Sequence, residues 1–190
     1  SKVLLSGASI ESIENIKLQQ WMTGQTSSND EETILMEDLK SSPLSFPQTG
    51  VYYECMKHPT DVVYNIPAML RFEKGIDADQ LEAAVKAIVE AHPALNTHFE
   101  MTESDVMQVR NEETEITIDR LAMSEEELAS YKREFVRPFH LATGPLCHFA
   151  IVTTDEAVCL LTDFHHLVFD GSSMDIFIQQ LSGVLDGTPV

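Results

Sequence analysis

From Pro43 onward, apolar residues follow two rhythms, one helical and one alternating. Phe46 to Met56 reads as a helix carrying Tyr52 and Tyr53, and Val62 to Phe72 as a strand. Pro67 interrupts that strand and confines it to a sheet edge or a bulge, because proline cannot donate to a ladder. The strongest helix follows. Asp77 caps it, Gln80 closes a capping box, Ile76 staples to Leu81, and Leu81, Ala84, Val85 and Ile88 form the buried stripe that Pro93 ends. Residues 95 to 101 and 105 to 110 alternate like a hairpin, and a strand is expected near 115 to 119. A second helix starts at Ser124, with Glu127 completing the box and Met123 stapling to Leu128. Two apolar runs, about 146 to 153 and 157 to 165, read as buried strands. A last helix places Met174, Phe177, Ile178, Leu181, Val184 and Leu185 at helical spacing. Strands interleaved with helices predict an α/β fold: an open mixed sheet with helices packed against it.

Before Pro43 the pattern weakens. In residues 1 to 22, Ile10, Ile13 and Ile16 repeat ahead of Trp21, whereas residues 23 to 42 are polar, acidic and poor in aromatics, as interdomain linkers are. The globular part is therefore expected to span 43 to 190. Composition narrows the class further. Thirty-one acidic against twelve basic residues give a net charge of −19, a field that disfavours nucleic acid and anionic membranes as partners. No apolar run approaches membrane-spanning length and no signal-peptide pattern opens the chain, so a cytoplasmic location is expected. Cys55, Cys147 and Cys159 lack metal-like spacing, and the latter two read as small buried hydrophobes. His58, His92, His98, His140 and His148 show no metal-like spacing either, and no metal is expected.

The chemistry concentrates in Asp163-Phe164-His165-His166-Leu167-Val168-Phe169-Asp170-Gly171-Ser172-Ser173. Side chains alternate faces along the strand, so His165 and His166 are expected to point to opposite sides, one meeting a channel while the other packs inward. Gly171 permits a sharp turn and Asp170 can hydrogen-bond nearby backbone, with Ser172 and Asp175 in capping-box spacing for the helix that follows. The arrangement would hold one imidazole rigidly at a strand end, as proton transfer requires.

These residues match HHxxxDG, and the chain resembles the condensation domain of non-ribosomal peptide synthetases. Chloramphenicol acetyltransferase and other CoA- or carrier-dependent acyltransferases share that signature, but three further segments appear in the expected order. Pro43 to Tyr53 resembles the opening motif, with Ser45 and Gln48 at its matching positions. Ala91-His92-Pro93-Ala94-Leu95-Asn96-Thr97-His98-Phe99 resembles the second, and Arg137 to Leu146 the stretch ahead of the catalytic strand. The resemblance implies one chloramphenicol-acetyltransferase-like lobe, with 43 to 190 as the N-terminal half of a two-lobed domain. The C-terminal lobe and half of the tunnel are then expected outside these residues, leaving the isolated chain inactive and an apolar face exposed. Residues 3 to 13 resemble the last helix of a carrier protein, so 1 to 22 is either a carrier remnant or an ordinary linker helix.

By the same resemblance His166 is the catalytic histidine, acting on an acceptor amine, while His165, Asp170 and Gly171 support the site. Gly171 would serve a tight turn and the close approach of a phosphopantetheine arm. No cofactor is expected to bind directly; the pantetheine belongs to donor and acceptor carrier proteins. Amide-bond formation between two carrier-bound thioesters is the activity implied. A CoA- or carrier-dependent acyltransferase of the same superfamily and a non-catalytic carrier-docking lobe are the alternatives. One departure matters: Ala91 and Asn96 occupy the second motif's arginine positions, so the arginine partner of Asp170 is missing. A buried Asp170 would then need Arg71, Arg137 or Asn96 as a substitute, or a raised pKa.

Overall fold

A computed structural model describes residues 40–72, 75–111 and 116–190. The expectations for 1 to 22 and for 23 to 39 lie outside the described residues. The first strand, β1 (Ser41–Pro43), pairs with β4, so Ser41 and Ser42, expected at the end of the linker, belong to a sheet. The order continues α1 (Phe46–Lys57), β2 (Asn65–Phe72), α2 (Ala78–Ala91), β3 (Thr97–Met101) and β4 (Val106–Arg110). It ends with β5 (Ile118–Ala122), α3 (Glu125–Phe135), β6 (Cys147–Thr153), β7 (Val158–His165) and α4 (Gly171–Leu185).

The strands form two sheets rather than one. β1, β4 and β3 make a small antiparallel sheet, and the larger has the order β2-β7-β6-β5, mixed because only β5 and β6 run parallel. β2 lies on its edge, where Pro67 leaves no ladder donor missing inside the sheet. The strand expected near 115 to 119 is set three residues later, because pairing with β6 begins at Ile118 opposite Phe149.

Helices cover both faces of the larger sheet, which explains why β6 and β7 read as unbroken apolar runs. On one face Cys147, Phe149, Ile151, Leu160 and Phe164 meet Leu81, Val85 and Ile88 of α2 and Phe177 and Leu181 of α4. On the other, Ala150, Val152, Cys159 and Leu161 meet Leu128 and Phe135 of α3. Cys147 and Cys159 are buried free thiols, and burial alone pushes Cys147 up to about 12. A third cluster joins the sheets, with Tyr52 of α1, Phe99 of β3 and Val106 of β4 closing over Leu141, Leu146 and Leu167. The loop into β6 rides close on β3. Gly144 sits there at φ +60, where a Cβ would lie 2.8 Å from the Thr97 carbonyl oxygen.

Capping separates local from tertiary effects. At α3 the box forms as expected, Ser124 and Glu127 each satisfying the other's backbone. At α2 Asp77 caps by accepting from the Asp79 N–H, but Gln80 does not close a box. Its amide donates to the Leu185 carbonyl at the end of α4, an orphan acceptor the helix itself cannot satisfy. No helix among the described residues is long and apolar enough to cross a membrane.

Candidate active site

β7 ends at His165, and the chain turns at once rather than continuing as strand through His166. The Val168 N–H donates to the His165 carbonyl at 3.0 Å, closing a tight turn over His165–Val168. The two histidines therefore diverge because the backbone turns between them, not because both alternate along a strand. His165 is buried, and His166 is exposed.

Backbone groups of this turn are tied to three neighbours. His165 N–H donates to the Leu146 carbonyl at 3.0 Å, and His166 N–H donates to the Tyr64 carbonyl at 2.8 Å. The Leu167 N–H donates to Nδ1 of His165 at 3.2 Å, and the Leu167 carbonyl accepts from Nε2 of Gln48 at 2.8 Å. The three apolar residues of the signature act as anchors. Leu167 enters the cluster between the sheets, Val168 packs against both flanking cores, and Phe169 folds back to stack on Phe164 with ring centroids 3.8 Å apart. His166 is thus an exposed imidazole on a backbone that has little freedom to move.

His165 has a defined chemical state. Its Nδ1 accepts a backbone N–H, so a neutral ring carries its proton on Nε2, which faces Sγ of Cys55 at 3.6 Å. Burial, aided by the neighbouring His166, drives its pKa down to about 4. Phe139 meets the ring edge-on. Two residues earlier on the same strand face, Asp163 is wholly buried. One carboxylate oxygen accepts from Nδ2 of Asn65 at 2.7 Å, and the other has no hydrogen-bond partner among the described residues. Desolvation pushes this carboxyl up to about 6, against the opposing pull of the Asn65 hydrogen bond.

Asp170 corrects the expectation of a buried carboxylate seeking a cation. It is exposed and serves as the N-cap of α4. Its Oδ1 accepts from the Ser173 N–H at 2.8 Å, from Oγ of Ser173 at 2.8 Å and from Oγ of Ser172 at 2.9 Å. These donors, led by the Ser173 N–H, hold its pKa down to about 2. Anionic charge also suits a helix N-terminus. None of the expected substitutes reaches it. Arg71 pairs with Glu125 and Glu156, Arg137 donates to His148, and Asn96 donates to the Asn111 carbonyl. The capping box expected for Ser172 and Asp175 is absent for the same reason, since Asp170 already holds the cap.

Gly171 is the first residue of α4 and is not among the positive-φ glycines, so the turn does not require glycine there. A Cβ at this position would meet nothing within 4 Å, leaving open space above it. Three of the other histidines have partners elsewhere in the fold. His92 contacts Gln180 at 2.7 Å, His98 lies between Asn111 and Glu100, and His148 stacks on Phe135. No group of three potential metal ligands occurs among the described residues. Sequence pattern alone does not bring Gln48, Cys55, Asn65 and Asp163 to the site. Two of them carry a plain signal: Gln48 by its place in the opening motif, and Asp163 as a carboxylate inside an apolar run.

Residues 39–187 match the Condensation domain family. Among similar proteins, surfactin synthase subunit 1 of Bacillus subtilis (strain 168) is 32% identical over 146 residues, covering 76% of this chain and 4% of that protein. Tyrocidine synthase 2 of Brevibacillus parabrevis is 30% identical over 146 residues, covering 76% of this chain and 4% of its own length. The chain thus spans only a few per cent of these relatives. The starter condensation domain of rhizomide synthetase RzmA superposes with a TM-score of 0.70 at 21% identity, covering 80% of this chain and 41% of that one. The epimerization domain from the third module of tyrocidine synthetase B reaches 0.64 at 21% identity, over 77% and 35%. Two different reactions thus share this fold, and the fold alone does not choose between them. The family match, over most of the chain, does place it: the chain belongs to the Condensation domain family.

Proposed function

We propose that this chain is the N-terminal lobe of a condensation domain that forms amide bonds in a non-ribosomal peptide synthetase, with His166 as its catalytic residue. The observation that carries this reading is the exposed imidazole on a turn whose backbone is tied to the segment before β2, to α1 and to the segment before β6. The amine of an aminoacyl thioester on one carrier protein attacks the carbonyl of an acyl or peptidyl thioester on another. One C–N bond forms, one C–S bond breaks, and the proton lost by the amine ends on the departing pantetheine thiol. Thioesters are already activated, so the enzyme chiefly has to position the partners and manage that proton. His166 orients the amine through a hydrogen bond and relays its proton to the thiolate.

His165 supports the turn from beneath, and Asp170 fixes the start of α4. The open space over Gly171 suits the approach of a phosphopantetheine arm. The limited coverage of the neighbouring domain supports a tunnel completed by a second lobe, so the isolated chain is expected to turn over negligibly. Carrier-to-carrier transfer in the synthetase that holds this chain tests the reading. His166→Ala should abolish most transfer while leaving carrier loading intact; full activity in that variant would remove His166 from the mechanism.

A further inference from the structure

Gln48 has every hydrogen-bonding position of its amide filled. Its Oε1 accepts from the Ser45 N–H and from Oγ of Ser45, both at 3.0 Å, completing the capping box of α1. Its Nε2 donates to the Leu167 carbonyl at 2.8 Å and to Oε1 of Gln108 at 3.1 Å. The amide orientation is forced, because a carbonyl oxygen such as that of Leu167 only accepts. The rest of the relay follows from that end. Gln108 must present its oxygen to Gln48, and its Nε2 donates to Oγ1 of Thr97 at 3.2 Å. Thr97 then donates to the Ala94 carbonyl at 3.0 Å. The opening motif, the second motif and the signature turn are thereby joined by one directional chain of hydrogen bonds.

From this geometry we infer that Gln48 is a positioning residue: it holds the Leu167 carbonyl and so fixes the turn that presents His166. The inference rests on the proposed role of His166. Three backbone carbonyls, of Leu146, Tyr64 and His165, and the His165 ring hold the N–H groups of the turn, and Gln48 is the side chain that holds the Leu167 carbonyl. Capping alone does not account for this. A glutamate at position 48 completes the same capping box, yet it has no donor for Leu167. It also obliges Gln108 to flip, which unseats Thr97.

The test compares Gln48→Glu with Ser45→Ala in the synthetase carrying this chain, following melting, hydrogen exchange across residues 165–168, and transfer between loaded carriers. Gln48→Glu should melt a few degrees lower than the parent, as the Leu167 carbonyl loses its donor, but it should also exchange faster across the turn and lose about tenfold to a hundredfold in kcat with KM for the carriers little changed. Ser45→Ala should melt a few degrees lower, with exchange across the turn and kcat close to the parent. Unchanged exchange in Gln48→Glu would overturn the brace. Faster exchange with unchanged kcat would overturn its role in positioning. Should the parent transfer nothing, the functional reading fails, and the exchange result by itself decides whether Gln48 braces the turn.

Discussion

On one face of β7, Val158, Leu160 and Phe164 enter a hydrocarbon core, with the Thr162 hydroxyl buried and without a partner among the described residues. On the other face, Cys159 and Leu161 are followed by Asp163 and His165, both buried and both pushed toward their neutral forms. Burial is nearly complete on each side, yet the faces contribute differently. The first gains from apolar area removed from water and from the Phe149, Phe164, Phe169 and Phe177 ring contacts. The second sacrifices some of that gain, because a buried titratable group stabilises the fold only as far as its partners satisfy it. The polar face is the one that leads into the proposed catalytic turn.

The comparison can be tested hardest on its apolar side. Phe164→Ala removes the ring that meets Phe149, Phe169 and Phe177, and should cost about 3–5 kcal/mol in chemical denaturation. A loss below about 1 kcal/mol would mean that the stack is not central to the core.

Asp163 should behave in the opposite sense. Its pKa rises from 3.8 to about 6 in the fold, so the folded state binds the proton more tightly. Its contribution is therefore lost as pH rises from about 4 through 6. His165 falls from 6.5 to about 4, so its contribution is lost as pH drops through that same range. The two largely mask each other in the parent. Asp163→Asn should raise stability at pH 7 by roughly 1–3 kcal/mol and uncover the His165 dependence, stability then climbing steadily between pH 4 and 6.5. Urea melts across that range check the sign. A variant less stable than the parent at pH 7 would mean that the charged carboxylate is well satisfied.

Asp170→Ala removes an N-cap from an exposed site and should cost about 0.5–2 kcal/mol, read as earlier hydrogen exchange at the start of α4. The smallest effect is expected at His166, whose side chain is exposed. His166→Ala should melt within about 0.5 kcal/mol of the parent. A large loss of stability there would erase the contrast between a buried supporting histidine and an exposed reactive one.

Much of this molecule was legible locally. The box of α3 needed only Ser124 and Glu127 three residues apart, and it formed. The buried strands, the edge position of Pro67 and the divergence of the two histidines were also readable from pattern. The cause of that divergence is a turn, however, and not the strand alternation that the pattern suggests. Asp170 shows a different failure. Aspartate is a favoured N-cap residue, so its local role was available in the sequence. Comparison with the family arginine instead suggested burial and a distant partner.

Residue order determined the elements and the signature, because periodicity, capping and turn formation act over a few positions along the chain. Tertiary structure decided which groups meet once those elements pack. Gln48 reaches a carbonyl 119 positions away, Asn65 a carboxylate 98 away, and Gln80 the far end of α4. Each of these polar groups has several possible partners in the unfolded chain. Packing selects one by bringing a particular orphan donor or acceptor within reach after water has been excluded.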